Sequence, residues 1–200
     1  NRARFRYGAR VDEVIVERGC AAGVRLASGE RLFADRVVMN ADPAALASGL
    51  FGKEAARAVP GLRSADRSFS AMTFLGQVSA SGFDLSHHNV FFSPDYRAEF
   101  AAIKRGRLAD TPSVYLCAQD RGVDATAQIG SERVQIIVNA PANGDTHKYS
   151  EQEIASCRSH MLESLNRGGL TLQGELHATT PTDFDRRYPA TGGALYGRAS

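Results

Sequence analysis

The chain has 200 residues, of which 43% are hydrophobic and 23% charged, a balance typical of folded globular proteins rather than disordered ones. Its net charge is only +2, and its arginines are scattered along the sequence rather than clustered in a basic stripe. We therefore expect no nucleic-acid partner. No apolar run reaches the ~18 residues that a spanning helix needs, which leaves only peripheral contact with a membrane.

The cysteines and the chain ends bear on the cellular setting. Cys20, Cys117 and Cys157 are odd in number, lie far apart and form no CxxC pair. Such spacing favours neither a disulfide framework nor a zinc site, and a reducing cytoplasm is the simpler expectation. The sequence opens without methionine, on what reads as the middle of a strand, and ends as abruptly, so we expect an excised piece of a longer protein.

The first forty residues predict a β-meander followed by a buried strand. VDEVIVE has partly alternating valines, CAAGVRL follows it, and the turn formers SGE at 28–30 indicate a tight hairpin. RVVMN at 36–40 is short and apolar without alternation, which is typical of a strand buried on both faces of a parallel sheet. Asp42 as N-cap and Pro43 at the first helical position then predict a helix.

The remainder of the chain predicts a sheet with flanking helices. Alternating or continuous apolar runs predict strands at 69–78, 90–92, 113–118, 134–140 and 172–180. Helical spacing predicts one helix over 94–104, and Ser150 with Glu153 forms a capping box that opens a second helix, ending near Asn166. Thr180 and Pro181 start a last short helix. The fold class is therefore α+β.

The pair of histidines in HHNVFF, at 87–92, raises the question of a metal site. Adjacent residues on a strand point to opposite faces, so His87 and His88 cannot easily bind one ion. None of the other histidines forms HxxxH or HxH spacing with them. We therefore expect no metal, with one imidazole hydrogen-bonded in the interior and the other facing solvent.

Motifs for nucleophilic or phosphate chemistry are missing from the sequence, which has no GxSxG, no P-loop and no GxGxxG. Asp183 and Asp185 lie two apart on a predicted helix and do not face each other. The residues alone therefore indicate an α+β protein of unknown activity, and they point to no catalytic acid or base.

A resemblance to a known family narrows the choice. GARVDEVIVERGCAAGVRLASGERLFADRVVMNADP resembles a block of flavin-dependent amine oxidases and carotenoid desaturases. In that family the block is a β-hairpin insertion returning to a strand of the dinucleotide-binding domain, and the valine matching Val11 contacts the FAD adenine through its backbone. The stretches SAMTFLG, LSHHNVFFSPDYRAEF, PSVYLCAQDR, VQIIVNAPANGD and TPTDFDRRYPATGGALYG resemble phytoene-desaturase-type proteins in the same order. HHNVFF followed by YLCAQDR is most similar to the bacterial branch that desaturates hydroxy- or methoxyneurosporene.

The resemblance covers essentially the whole chain and implies its organisation. It adds an α/β element to the fold class: a mixed β-sheet substrate domain with flanking helices, beside a β-meander and one strand of a Rossmann-like FAD-binding domain. Residues 1–45 are expected in the FAD-binding domain, 46–178 in the substrate domain and 179–200 in a segment returning to the FAD domain. Two glycine-rich cofactor blocks of the family are missing from the sequence, and ATAQIG at 125–130 replaces a proline-containing turn.

The function implied by the resemblance is desaturation of an acyclic carotenoid by an FAD-dependent oxidoreductase, with hydride transfer to the flavin. The enzyme is expected in the cytoplasm, peripherally on the inner face of the membrane, and the excised piece alone is expected to be inactive and prone to self-association. The residues expected to line a carotenoid tunnel are Met72, Phe74, His88, Phe91, Phe92, Tyr115 and Tyr196. Ordinary core packing is the alternative for most of them.

Two other functions stay open from the sequence. One is a flavin amine oxidase acting on a polar substrate, which would need an aromatic cage. The other is a non-enzymatic lipid- or protein-binding α+β module that folds alone around a hydrophobic pocket.

Overall fold

The computed structural model describes residues 3–59, 61, 66–122 and 130–197. The chain divides into two compact units, Asn1–Arg63 and Ser64–Ser200. Residues 125–129, where the turn substitution was noted, lie outside the described residues. Among the described helices, none has the length and apolar character needed to cross a membrane.

The first unit is built on a β-meander, as the sequence predicts. Its elements are β1 (Val11–Glu17), β2 (Cys20–Leu26), β3 (Arg31–Phe33), α1 (Pro43–Ala47) and α2 (Lys53–Ala56). The strands pair antiparallel in the order β1-β2-β3. Asp42 caps α1 by accepting a hydrogen bond from the Ala44 amide at 2.8 Å, which confirms the predicted helix start. Gly23 has φ +155°, and a Cβ there would collide with the Leu32 carbonyl of β3.

The predicted buried strand RVVMN is wrong, because residues 36–40 form no strand. A strand buried on both faces needs hydrogen-bonded neighbours and cover on each side, and the described part of this unit offers only the antiparallel meander. Val38 is instead 93% exposed. Val37 and Met39 line an apolar cavity of about 390 Å³ together with Val14 and Leu46.

The second unit is a five-stranded sheet with helices. Its elements are β4 (Ser70–Ser81), β5 (His88–Phe91), α3 (Tyr96–Lys104), β6 (Val114–Ala118), β7 (Glu132–Ala140), α4 (Glu151–Arg167), β8 (Thr171–Thr179) and α5 (Pro181–Arg187). The strand order is β5-β6-β7-β4-β8. The α+β class is confirmed. Every strand pairing in the sheet is antiparallel, so the expected mixed sheet is wrong. β7 and β8 run in the same direction, but they lie on opposite sides of β4 and do not pair with each other. The helix α4 connects them.

The core of this unit lies between one face of the sheet and α4. Alternate residues of each strand point to this face, and they form two cross-strand rows. The first row is Asn89, Leu116, Ile136, Phe74 and Ala178, and the second is Phe91, Val114, Val138 and Met72. Cys157, Met161 and Leu165 of α4 pack against these rows. The capping box of Ser150 and Glu153 that begins α4 is present as predicted.

The last described segment closes against the start of β4. The Leu195 amide donates to the Phe69 carbonyl at 3.1 Å, and the Ser68 amide donates to the Gly197 carbonyl at 2.8 Å. α2 contacts β1 in the first compact unit, and the tail packs within the second. The predicted domain limits, 1–45, 46–178 and 179–200, stay a prediction. The assignment of the units to cofactor and substrate roles stays a prediction.

Candidate functional site

The sheet of the second unit separates the predicted tunnel residues onto two faces. Met72 and Phe74 are 0% exposed and Phe91 is 8% exposed, and all three belong to the core packed against α4. His88 and Tyr115 lie on the opposite face, which we call the open face. Tyr196 lies on the tail and is 85% exposed. The structure therefore brings His88 and Tyr115 together on the open face and Met72, Phe74 and Phe91 together in the core, and a tunnel role for any of them stays a prediction.

Two cross-strand rows of uncharged or imidazole side chains cross the open face. The first row is Val90, Tyr115, Ile137, Thr73 and Thr179. The second row is His88, Cys117, Gln135, Leu75 and His177. A charged row follows on one side, where Arg133 and Glu175 both pair with Gln77. These two rows therefore form a band that is free of carboxylates, lysines and arginines and has charged side chains along one side.

The histidine pair lies at one end of this band, in a geometry that alternation along a strand did not predict. His87 precedes β5 and His88 is its first residue, so their ring centroids lie 4.3 Å apart. Cys117 pairs with His88 across the strands, and its Sγ lies 3.7 Å from His87 Nε2. His88 Nδ1 lies 2.7 Å from the Tyr115 hydroxyl. The expected division, with one half-buried ring and one exposed ring, is present, but the two rings share one cluster.

The electrostatics of this cluster centre on Tyr115 and Cys117. Burial raises the pKa of the Tyr115 hydroxyl, and the neighbouring Cys117 sulfur raises it further through charge and hydrogen bonding. His87 Nδ1 lies 2.6 Å from the Arg121 carbonyl oxygen. Because a carbonyl oxygen only accepts, this nitrogen carries the proton, and Nε2 presents its lone pair towards Cys117.

A cavity of about 300 Å³ lies at the start of β4. It is lined by Arg67, Ser68, Phe69, Ser70, Asn139, Leu195 and Tyr196. Ser70 Oγ is buried and has no hydrogen-bond partner among the described residues. Behind the cavity, the Glu99 carboxylate is 2% exposed and accepts hydrogen bonds from Ser113 Oγ at 2.7 Å and Asn139 Nδ2 at 3.2 Å. These neutral donors hold Glu99 on the inner side of α3.

Sequence reasoning did not find Cys117, Ser70, Asn139 or Glu99. Alternation within VYLCA does place Tyr115 and Cys117 on one face. The pairing of that face with His88 depends on the register between β5 and β6, which 22 residues of loop and helix separate (92–113). A long connection of this kind carries no turn signature that would specify the register.

Comparison with known proteins shows which proteins the chain is similar to. No family model matches the chain. Hydroxyneurosporene desaturase of Rubrivivax gelatinosus is 44% identical over 201 residues, covering 98% of this chain and 38% of the relative. The protein of the same name from Cereibacter sphaeroides is 40% identical over 197 residues, covering 97% and 39%. 4,4'-Diapolycopene oxygenase of Methylomonas sp is 30% identical over 198 residues, covering 96% and 40%. Over nearly its whole length the chain is homologous to proteins of the carotenoid desaturase family.

The chain spans about two fifths of the length of the curated relatives it matches. Among solved structures, a tryptophan 5-halogenase matches with a TM-score of 0.39 and 14% identity, covering 85% of this chain and 25% of the halogenase. A TM-score at that level carries no argument about fold or cofactor.

Homology to carotenoid desaturases fits a flavin cofactor, and the sequence predicts one contact to it in the first unit, at Val11. Val11 opens β1, which is an edge strand of the meander, and the β1–β2 register shifts between Val11 and Glu13. Further along β1, the Val14 amide already donates to the Phe51 carbonyl at 2.9 Å. The edge position of Val11 is compatible with a backbone contact to a flavin cofactor, and that contact stays a prediction.

Proposed function

We propose that this chain supplies the substrate-binding sheet and part of the cofactor-binding unit of an FAD-dependent oxidoreductase that desaturates an acyclic carotenoid. The observation that carries this proposal is the 44% identity to a hydroxyneurosporene desaturase across 98% of the chain. The name of these relatives supports hydroxyneurosporene as the substrate.

The open face has the chemistry that such a substrate needs. A polyene has no groups for hydrogen bonding along its length, so its site must exclude charge and provide apolar contact. The two uncharged rows supply this, and with strands about 4.8 Å apart a row of five strands extends about 19 Å. His88, Cys117 and Tyr115 lie at one end of the band and would offer polar contacts to an oxygenated end of the carotenoid.

The division of labour follows from this chemistry. FAD would accept the hydride in the full-length enzyme, which is the chemistry the cofactor supplies. The residues of this chain would orient the hydrocarbon and keep water from it. Positioning should make the largest contribution to catalysis, because the reacting carbons have no groups that could form hydrogen bonds. None of the described residues is assigned as the acid or base that takes the accompanying proton.

We also propose peripheral attachment to the inner face of the cytoplasmic membrane. The support is the exposure of Phe92 at 75% and Tyr96 at 56%, at the end of β5 and the start of α3. Tyrosine, which has one polar end, is favoured at a membrane–water interface, and the exposed phenylalanine beside it adds apolar surface. A carotenoid taken from the bilayer would then enter close to Val90, the open-face residue of β5.

The experiment compares open-face and charged-row variants in the flavin-loaded full-length protein. Ile137→Asp should lower conversion of hydroxyneurosporene at least tenfold, because it places a charge in the centre of the band. Gln77→Asp lies in the charged row and should leave conversion unchanged. Conversion is measured as the red shift in absorption from one added conjugated double bond. A full-length protein that leaves every acyclic carotenoid unchanged yet oxidises an amine would refute the proposal.

A further inference from the structure

The expectation of no metal rested on two premises about His87 and His88, and the structure removes both. The first was that neighbours on a strand point apart, but His87 lies before β5 and the two rings meet edge to face. The second was that no third ligand has suitable spacing in the sequence. Cys117 supplies one from the neighbouring strand, because it is the register partner of His88.

We propose that His87, His88 and Cys117 form a binding site for one Zn²⁺ ion at the edge of the sheet. One ligand atom from each side chain lies within 4.8 Å of the other two. Zinc–sulfur bonds of about 2.3 Å and zinc–nitrogen bonds of about 2.0–2.1 Å at a tetrahedral ion place ligand atoms about 3.3–3.6 Å apart. The 3.7 Å between His87 Nε2 and Cys117 Sγ is already close to that separation.

The hydrogen bonds around His87 orient its ring for metal binding before an ion is present. Its Nδ1 donates to the Arg121 carbonyl at 2.6 Å, which selects the tautomer with a free lone pair on Nε2. Metal-bound histidines commonly donate their second ring nitrogen to a carbonyl in this way. The Arg121 backbone is itself fixed, because its side chain is 6% exposed and ion-paired with Glu132 at 2.6 Å. The ring of His87 is therefore oriented by a rigid part of the fold.

The donor set selects the ion. Two imidazoles and a thiolate suit Zn²⁺, whereas Mg²⁺ and Ca²⁺ prefer oxygen ligands. Binding converts the Cys117 thiol to a thiolate and releases that proton to solvent, while both imidazoles bind as neutral ligands. Three protein ligands leave a fourth position on the exposed His88 side, beside the Tyr115 hydroxyl, which water or an oxygen of a bound molecule would fill.

The experiment is isothermal titration of Zn²⁺ into the tag-free 200-residue chain, kept reduced and stripped of metal beforehand. One equivalent should bind, with no heat from Mg²⁺ at the same concentration. His87→Gln, His88→Gln and Cys117→Ser should each weaken zinc binding at least tenfold. His88 is exposed, so His88→Gln removes a ligand without disturbing the core. Circular dichroism confirms the fold of all three variants.

The chain offers two matched controls. His177→Gln changes the histidine at the other end of the same cross-strand row, and Cys20→Ser changes the exposed cysteine of the first unit. Both should bind zinc like the unaltered chain. Co²⁺ gives a second measurement: a thiolate-to-cobalt charge-transfer band should appear in the unaltered chain and disappear in Cys117→Ser.

Each result of these measurements decides the proposal. Stoichiometric zinc lost in the ligand variants and kept in the controls supports it. No binding by the unaltered chain, or binding that none of the three ligand variants weakens, overturns it and leaves a metal-free hydrogen-bonded cluster. Because these experiments measure metal binding alone, their outcome does not depend on whether the full-length protein desaturates a carotenoid.

Discussion

The Arg121 guanidinium contacts the Glu132 carboxylate at 2.6 Å, and the two side chains are only 6% and 4% exposed. Arg121 Nε also donates to Glu132 at 2.8 Å, so the pair is bidentate. A further nitrogen of the same guanidinium donates to the Leu85 carbonyl. The pair thus joins the first residue of β7 to the segments that follow β6 and precede β5. It also fixes the backbone whose carbonyl orients His87.

We expect Glu132→Gln to destabilise the second unit strongly. Removing the Glu132 charge leaves the buried guanidinium facing the solvent-exposed Asp84 carboxylate at 3.6 Å, and breaking a buried pair in this way typically costs about 3–5 kcal/mol of unfolding free energy. Urea unfolding followed by circular dichroism measures it. Glu163→Gln, on the exposed side of α4, is the control and should change the unfolding free energy by no more than about 0.5 kcal/mol. Equal effects of the two variants would contradict a structural role for the pair.

A second ion pair makes stability depend on pH. Arg67 donates to Asp145 at 2.8 Å and to the carbonyls of Ala142 and Ala190, each at 3.2 Å. The hydrogen bond from the Arg67 guanidinium lowers the pKa of the Asp145 carboxyl below its usual range. A lowered folded-state pKa contributes stability above the unfolded pKa of about 4, and that stability is lost as the pH falls through the folded value.

Asp145→Asn should therefore lower the unfolding free energy at pH 7, and the difference from the unaltered chain should shrink as the pH falls from about 4 towards about 2. Urea unfolding across this range measures the difference. Asp110→Asn, at an exposed position of the same unit, should show no such trend. A deficit in Asp145→Asn that stays constant down to pH 2 would show that the carboxylate charge is not its cause.

Local signals predicted the fold well where one residue pattern determines one element. The capping box of Ser150 and Glu153 and the alternation along β7 depend on neighbours within a few residues, and both elements lie where they were predicted. RVVMN was misread because an apolar run does not show whether partner strands exist. The separation of Phe74 from Tyr115 follows from their positions in paired strands, which requires the register across β4, β7 and β6.

The isolated chain is expected to bind FAD weakly. The first unit offers the β1 edge at Val11, but the sequence has no GxGxxG, and a phosphate-binding helix start is what holds the cofactor's pyrophosphate. Titration of FAD with the 200-residue chain, followed by flavin fluorescence, should show no quenching at low micromolar concentration. The full-length protein is the positive control. Quenching by the chain alone at that concentration would mean that the β1 edge is not the whole of its cofactor site.

The exposed apolar side chains around β5 should make the isolated chain self-associate. Val90, Phe92 and Tyr96 are 50%, 75% and 56% exposed within one short stretch, and Leu75 on the same open face is 42% exposed. Covering such surface gains about 25 cal/mol per Å² of apolar area, so contact between copies is favoured where nothing else covers it.

Sedimentation velocity over a range of concentrations tests this expectation. The mean mass of the unaltered chain should rise with concentration, and mild detergent should reverse the rise by covering the same surface. The double variant Phe92→Ser, Tyr96→Ser should associate less at every concentration. Tyr188→Ser, which removes an aromatic residue of similar exposure (59%) at the end of α5, should associate like the unaltered chain. A monodisperse monomer at all concentrations would instead fit the closed, self-contained binding module and would count against an open substrate face.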